Sequence, residues 1–315
     1  MSEKIGRRDF FKKSAKMGFS AALGSTFVSN LINGSYTFAG ENVDIAVVTG
    51  GDYFKNTERA VKLLGGIKKF VPKNSRVALL PNVQSRHPGT FTNPEIVRAV
   101  IRMCKKAGAK EVNCLSLLPA KNWEDTGLAR VIEKEGARIV LVDREDETLF
   151  TSVPVPNGIA LKEARIMKEF FNNDIFIDMP ITKDHAGNKF TGTMKNLMGL
   201  NSRNCNRSFH KEEWRTELSA IEYLDQCIAD LNMVIHPDLC IVDATEIITT
   251  NGPMGPGSLI KPQKVIAGKD RVAIDAYCTT LWGMEPKDII MINKAYEHKL
   301  GEIDLQRVKV KKEKI

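Results

Sequence analysis

Several features that would settle the chemistry of this 315-residue chain at once are scarce in it, and each shortage excludes something. The six cysteines, Cys104, Cys114, Cys205, Cys227, Cys240 and Cys278, form no CxxC pair or longer run. That spacing argues against an iron–sulfur cluster held by this chain alone. Several lie in apolar patterns that predict small buried thiols, and any disulfide pairing is not legible from spacing. No uninterrupted apolar run reaches the ~20 residues that a bilayer-spanning helix requires, so no stable membrane span is expected. Charge of one sign is scarce where it would matter. Six basic and two acidic residues fall in 1–39, and four basic and one acidic in Lys309–Ile315, so most of the formal +8 sits at the two ends and the body is close to neutral. A pI near 9.1 is therefore no sign of nucleic-acid binding, and no basic stripe interleaved with aromatics runs through the body. The tail reads as a solvated end.

What is present begins with Gly6-Arg7-Arg8-Asp9-Phe10-Phe11-Lys12, a twin-arginine run followed by a weakly apolar stretch over Met17–Ile32 and a small-residue site at Thr37-Phe38-Ala39. This predicts an export signal over 1–39, cleaved after Ala39 and read by the twin-arginine translocation machinery, which places the protein in the periplasm or outside the cytoplasm. Export of a folded protein often accompanies a cofactor inserted beforehand.

The roughly 275 residues that follow, in a chain of 43% hydrophobic content, suffice for one full core. Strand-like and helix-like segments alternate. Val43–Val48, Arg76–Leu80, Glu111–Leu115, Arg138–Val142, Asp174–Met179, Leu239–Asp243 and Lys264–Ala267 read as strands. Thr57–Phe70, Pro94–Ala107, Trp123–Gly136, Leu161–Phe171, Glu212–Leu231, Arg271–Trp282 and Pro286–Leu300 read as helices, the second capped by Asn93 and closed by Gly108. The alternation predicts an α/β fold, a mainly parallel sheet with helices on both faces. It forms one domain over 40–308, with any division into two intimate subdomains falling near 180–210.

Chemistry concentrates in the span KDHAGNKFTGTMKNLMGLNSRNCNRSFH, Lys183 to His210, directly after a predicted strand. It holds two of the five histidines, His185 and His210, with Lys195 ten residues after the first and fifteen before the second. In open α/β sheets ligands bind at the carboxyl edge, where such a loop falls. His87, His185 and Lys195 are the candidate catalytic residues. Neutral imidazoles serve as acid/base groups or metal ligands, and a desolvated lysine becomes a nucleophile, a tether or an anionic anchor. Lys195 could equally form a structural salt bridge, or with Asn196 bind a phosphate or carboxylate at a helix N-terminus. His210 and Asp243 are the candidate metal ligands. Gly252, Gly255 and Gly257, in GPMGPG, sit where a phosphate-cradling loop would. Their two prolines remove amides such a cradle would use and favour a rigid wall instead. Asp270 reads as a helix N-cap, while Asp275 could serve a metal or a substrate hydroxyl.

From Pro81-Asn82 through TNPEIVRAV, KDH, TGTMKNLMG, IVDA, GPMGPG and AGKDRVAIDA, the chain resembles the domain-of-unknown-function family 362 over roughly residues 43–305. Where members often carry a lysine before the Pro-Asn pair, this chain has Leu80. The same loops are similar, more distantly, to the lactate racemase family. There a histidine in a Gly-Thr-His-Arg-Pro-like loop and a later histidine, lysine and histidine surround a nickel pincer nucleotide, which the lysine tethers and the last histidine binds through nickel. His87 in SRHPGTFTNPE, then His185, Lys195 and His210, follow that order, although Gly-Gly-Arg-Lys there is Gly-Thr-Met-Lys here and the first gap is longer.

The resemblance implies a metal ion or a nickel-pincer-like nucleotide as cofactor, with Lys195 as tether. Two classes of function stay open at this point. One is an enzyme acting on a small polar or anionic molecule by proton transfer or isomerisation. The other is a non-catalytic periplasmic ligand-binding protein, or an electron-transfer accessory with a redox partner protein.

Overall fold

The computed structural model describes residues 43–315; the export signal expected over 1–39 lies outside them. In chain order the strands are β1 (Ile45–Thr49), β2 (Arg76–Pro81), β3 (Glu111–Ser116), β4 (Arg138–Leu141), β5 (Phe150–Pro154), β6 (Glu163–Met167), β7 (Ile175–Met179), β8 (Leu239–Ala244), β9 (Ile247–Ile248), β10 (Leu259–Ile260), β11 (Lys264–Gly268) and β12 (Val310–Lys314). The helices are α1 (Tyr53–Leu63), α2 (Pro94–Ala107), α3 (Ala120–Asp125), α4 (Leu128–Lys134), α5 (Thr193–Asn196), α6 (Arg203–Phe209), α7 (Leu218–Leu231), α8 (Arg271–Thr279) and α9 (Ile290–Glu297).

Eight strands form one sheet in the order β12-β1-β11-β8-β7-β2-β3-β4. Every neighbouring pair is parallel except those of β11, which is antiparallel to both β1 and β8. The sheet is covered on both faces, and the pleat sorts the side chains. Ala46 and Val48 face one apolar cluster with Val77, Leu79, Ile177 and the helices α1, α2 and α4. Ile45 and Val47 face the other, with Ala78, Leu80, Phe176 and the helices α7, α8 and α9. Each fully buried aliphatic or aromatic side chain stabilises by about 1.5–3 kcal/mol, which explains why the central strands read as continuous apolar runs. Helix α2 is bounded as its sequence predicts. Asn93 accepts the Glu95 amide at 2.9 Å, Pro94 opens the helix, and Gly108 closes it at φ 90°.

Four expectations need correction. Leu161–Phe171 is not one α-helix: β6 pairs with β5 from Phe150↔Met167 to Pro154↔Glu163, and a 3-10 turn follows over Lys168–Asn172. Ala164 and Ile166 are buried while Glu163 and Arg165 turn outward, a period of two rather than 3.6. The helix expected over Trp123–Gly136 breaks at Gly127, whose φ of 74° ends α3 and starts α4. The long helix expected from Glu212 begins only at Leu218, leaving 211–217 as a turn with Glu213 at φ 60°. The basic tail is not free: Val310–Lys314 adds to β1 as a parallel edge strand, and Arg59 clasps Glu313 with two hydrogen bonds of 2.8 Å. Lysine-rich composition is what an exposed sheet edge needs to resist pairing with other chains.

The position of the site follows from the strand order. From β2 the chain moves outward through β3 and β4, then returns to place β7 and β8 on the opposite side of β2. The connections therefore diverge at the carboxyl ends of β2 and β7, where Pro81 lies opposite Met179.

Candidate functional site

Asn82 follows β2 and Lys183 follows β7, and the two side chains meet across that divide. The Lys183 amine donates to Asn82 Oδ1 at 3.1 Å and to the Thr90 carbonyl at 2.8 Å, clipping the loop after β2 onto the end of β7. Lys183 is 1% exposed. Burial, helped by the positive charge of Lys195, lowers its pKa to about 7.

Asn196, from α5, closes the same divide. It donates to the Leu80 carbonyl at 2.9 Å and to Asp178 at 2.7 Å, and accepts from Asn82 at 3.0 Å. The side chain expected to hold a cofactor is thus engaged on both its oxygen and its nitrogen as a strand clip. The N-terminus of α5 is engaged as well. Asp275, from α8, accepts the Thr193 amide at 2.7 Å, the Thr193 hydroxyl at 2.9 Å and the Met194 amide at 3.0 Å. The anion this turn binds is therefore its own aspartate. Gly192 is required there, because a Cβ would run into Asp275 Oδ1.

The turn so fixed carries Lys195, which is buried. Its amine lies 3.8 Å from Met198 Sδ. Burial drives it down from the ordinary lysine range, while the carboxylate of Asp225, on α7, opposes the change. Asp225 is driven upward by its own burial, opposed by Lys195 and Asn188; it accepts from the Asn188 amide group and from the Met291 backbone at 3.1 Å. Burial thus lowers the amine and raises the carboxyl, each opposed by the charge of the other.

His185 and His210 complete the group. Burial first, then Lys195, lowers His185 to about 2; burial also lowers His210. The Nδ1 of His185 lies 2.6 Å from the Ala186 carbonyl, and that of His210 lies 2.8 Å from the Asn206 carbonyl. A carbonyl can only accept, so both Nδ1 atoms carry the proton and both Nε2 atoms keep the lone pair. Trp214 stands against both rings, 5.6 Å from His185 and 4.8 Å edge-on from His210.

His87 lies on the adjoining loop, the one that Lys183 clips. Its carbonyl accepts the Thr90 hydroxyl at 2.5 Å, and its Cβ lies 3.2 Å from where a Cβ on Gly255 would stand. The Gly/Pro loop packs between this segment and Asp184. The Gly252 amide donates to the Asp184 carboxylate at 2.8 Å and the Gly255 amide to the Asn251 carbonyl at 3.1 Å, so these two amides of the loop are engaged within the protein. Asp243 has one oxygen on the Asn93 amide at 2.7 Å and the other on the Thr245 amide at 2.8 Å, with burial raising it to about 6. It ties the start of α2 to the end of β8. Asp270 caps α8 through the Ala273 amide at 3.0 Å, as expected.

Among the described residues no three His, Cys, Asp or Glu side chains come together as a metal cage. The Nε2 atoms of His185 and His210 are the neutral nitrogen donors that the site offers.

Sequence reasoning missed Lys183 as a distinct group, Asn82, Trp214 and Asp225. Asp225 left a signal: it interrupts the apolar face Leu224, Cys227, Ile228, Leu231 of α7, where an acid is costly without a partner.

The family model described as "Domain of unknown function (DUF362)" matches residues 77–280. A thylakoid-associated protein of Synechocystis sp. is 26% identical over 252 residues, covering 76% of this chain and 73% of that protein. Among solved structures, the lactate racemase apoprotein from Thermoanaerobacterium thermosaccharolyticum aligns with a TM-score of 0.46 and 14% identity, over 74% of this chain and 56% of that one. This chain thus spans little more than half the length of that protein, and the likeness is too coarse to match residues. No helix of the described residues is long and apolar enough to cross a membrane.

Proposed function

This chain belongs to the DUF362 family, and from the site described above we propose that it is an enzyme that moves a proton on a small polar, anionic molecule. The observation that carries the reading is that two imidazoles with free Nε2 lone pairs and two amines lowered by burial gather at the carboxyl edge where the strand order diverges. Imidazoles held neutral by burial offer Nε2 as a hydrogen-bond acceptor or metal ligand, and an amine shifted toward neutrality can take up or release a proton without a large energetic cost. Lys195 is the proton-transferring group in this reading, its pKa lowered by burial against the pull of Asp225, and His185 presents its neutral Nε2 to the substrate. His87, on the flanking loop, borders the substrate. A metal–organic group ligated by His210 would supply an electrophilic centre when bound. Trp214 shields the two histidines from water, which strengthens every charge interaction beside it.

The Arg7-Arg8 pair and the weakly apolar stretch after it support the further reading that the protein carries an export signal, is delivered folded by the twin-arginine machinery and acts in the periplasm or outside the cytoplasm.

The test uses protein recovered after export from its own host, characterised by intact mass and metal analysis and held in deuterium oxide with small 2-hydroxy and 2-amino carboxylates. Loss of the C2–H proton signal by NMR, abolished by His185→Ala, is the expected result. Tight binding of these acids with no exchange in any of them would identify a non-catalytic binding protein instead.

A further inference from the structure

Lys183 and Lys195 bear on one another from the loop after β7 and from α5, and the groups around them carry fewer negative charges than positive ones. The Lys183 ammonium has three N–H bonds, and two of them meet neutral oxygens, Asn82 Oδ1 at 3.1 Å and the Thr90 carbonyl at 2.8 Å. Among the described residues the carboxylate that bears on the pair is Asp225 from α7; it acts on Lys195 and is itself tied to Asn188 and the Met291 amide. His185 and His210, facing from their own loops, are kept neutral and add no countercharge. Asp243, at the end of β8, has both oxygens on backbone amides. Two cations against one carboxylate leave one buried positive charge unmatched when both amines are protonated, and such a charge is costly without a partner. Three nearby backbone amides are already engaged, those of Thr193 and Met194 by Asp275 and that of Gly252 by Asp184.

We infer that Lys183, paired with Lys195, is the recognition site for one small singly charged oxyanion, a carboxylate or a phosphate, whose oxygen takes the remaining N–H of Lys183 at the divide between β2 and β7. The inference rests on the reading of the site as one for a small anionic molecule, and adds to it the group that recognises the ligand and the charge that ligand carries. Asn82 gives the cleanest test, since Asn82→Asp would place a built-in carboxylate where the amide oxygen now lies 3.1 Å from the Lys183 amine.

The experiment titrates the full-length protein by calorimetry at pH 7 with sodium acetate and, separately, with inorganic phosphate, in the wild type, Lys183→Met and Asn82→Asp. The wild type should bind one equivalent of acetate, of phosphate or of both, the arm that binds identifying the source. Affinity should fall at least tenfold in each variant. Should Lys183→Met fail to fold, Asn82→Asp alone decides. No binding of either anion by the wild type, or affinity within twofold of wild type in folded Asn82→Asp, overturns the inference. Intact anion binding without proton exchange would overturn the proposed reaction and leave this site standing. Exchange with anion affinity unaltered in the variants would do the reverse.

Discussion

The carboxylate of Asp275 accepts the amides of Thr193 and Met194 at 2.7 and 3.0 Å, so a residue on α8 fixes the turn that presents Lys195 two residues later. Removing it should loosen that turn before it disturbs the sheet. Asp275→Ala is expected to cost about 2–4 kcal/mol, since several buried charge-assisted hydrogen bonds go at once, and to lower anion affinity with it. Equilibrium urea unfolding gives the first quantity and calorimetry the second. Gly192→Ala should act in the same way, by pushing the carboxylate off the turn.

Asp275 also predicts a pH dependence of known sign. Burial raises its pKa to about 7, against about 3.9 in an unfolded chain. The folded state therefore holds this proton between roughly pH 4 and 7 while the unfolded state releases it, so the stability contributed by the group is full below pH 4 and is lost as pH rises toward 7. Asp275→Asn should flatten that decline when unfolding free energies of both proteins are compared across the window.

Lys183 predicts the opposite slope at higher pH. Its pKa of about 7 when folded lies below the ~10.4 of an unfolded lysine, so the unfolded state binds the extra proton between these values and stability rises with pH across that window. The gain approaches about 1.4 kcal/mol per pH unit for one group. Lys183→Met should lack that share of the rise, as measured by denaturant midpoints from pH 7 to 10. Equal slopes in the two proteins would show that the lysine titrates as it does in water.

Much of this fold was legible because its signals are local. Asn93, Pro94 and Gly108 mark both ends of α2, and the β-branched runs of the central strands are buried on both faces. The helix expected over Leu161–Phe171 failed because its apolar residues suit either period over so short a stretch, and pairing with β5 decided the outcome. The tail failed for a similar reason, since a lysine-rich strand is indistinguishable from a solvated end until β1 lies beside it. At the site, His185, Lys195 and His210 declared themselves by residue type. Lys183, Asn82 and Asp225 act through contacts across 101 positions in the chain or from the buried face of a helix, which spacing does not encode.

The C-terminal strand gives a separate prediction. Deleting Val310–Ile315 removes the five-residue pairing with β1 and bares its edge. The expected loss is about 1–3 kcal/mol, or a few degrees in Tm, with a greater tendency to aggregate. Glu313→Gln, which removes only the solvent-screened ion pair with Arg59, should change stability little. Thermal unfolding followed by light scattering separates the two effects.

The central claim, that the buried amines and imidazoles at the divide between β2 and β7 exist for chemistry rather than for stability, is tested most directly in Lys195→Met. The substitution keeps the length and apolar stem of the side chain and removes a buried charge. Stability is therefore predicted to stay within ~1 kcal/mol of wild type or to rise, while C2–H exchange in deuterium oxide and calorimetric anion affinity each fall at least tenfold. A large loss of stability with exchange and anion affinity unchanged would contradict the account and make Lys195 one half of a structural pair with Asp225.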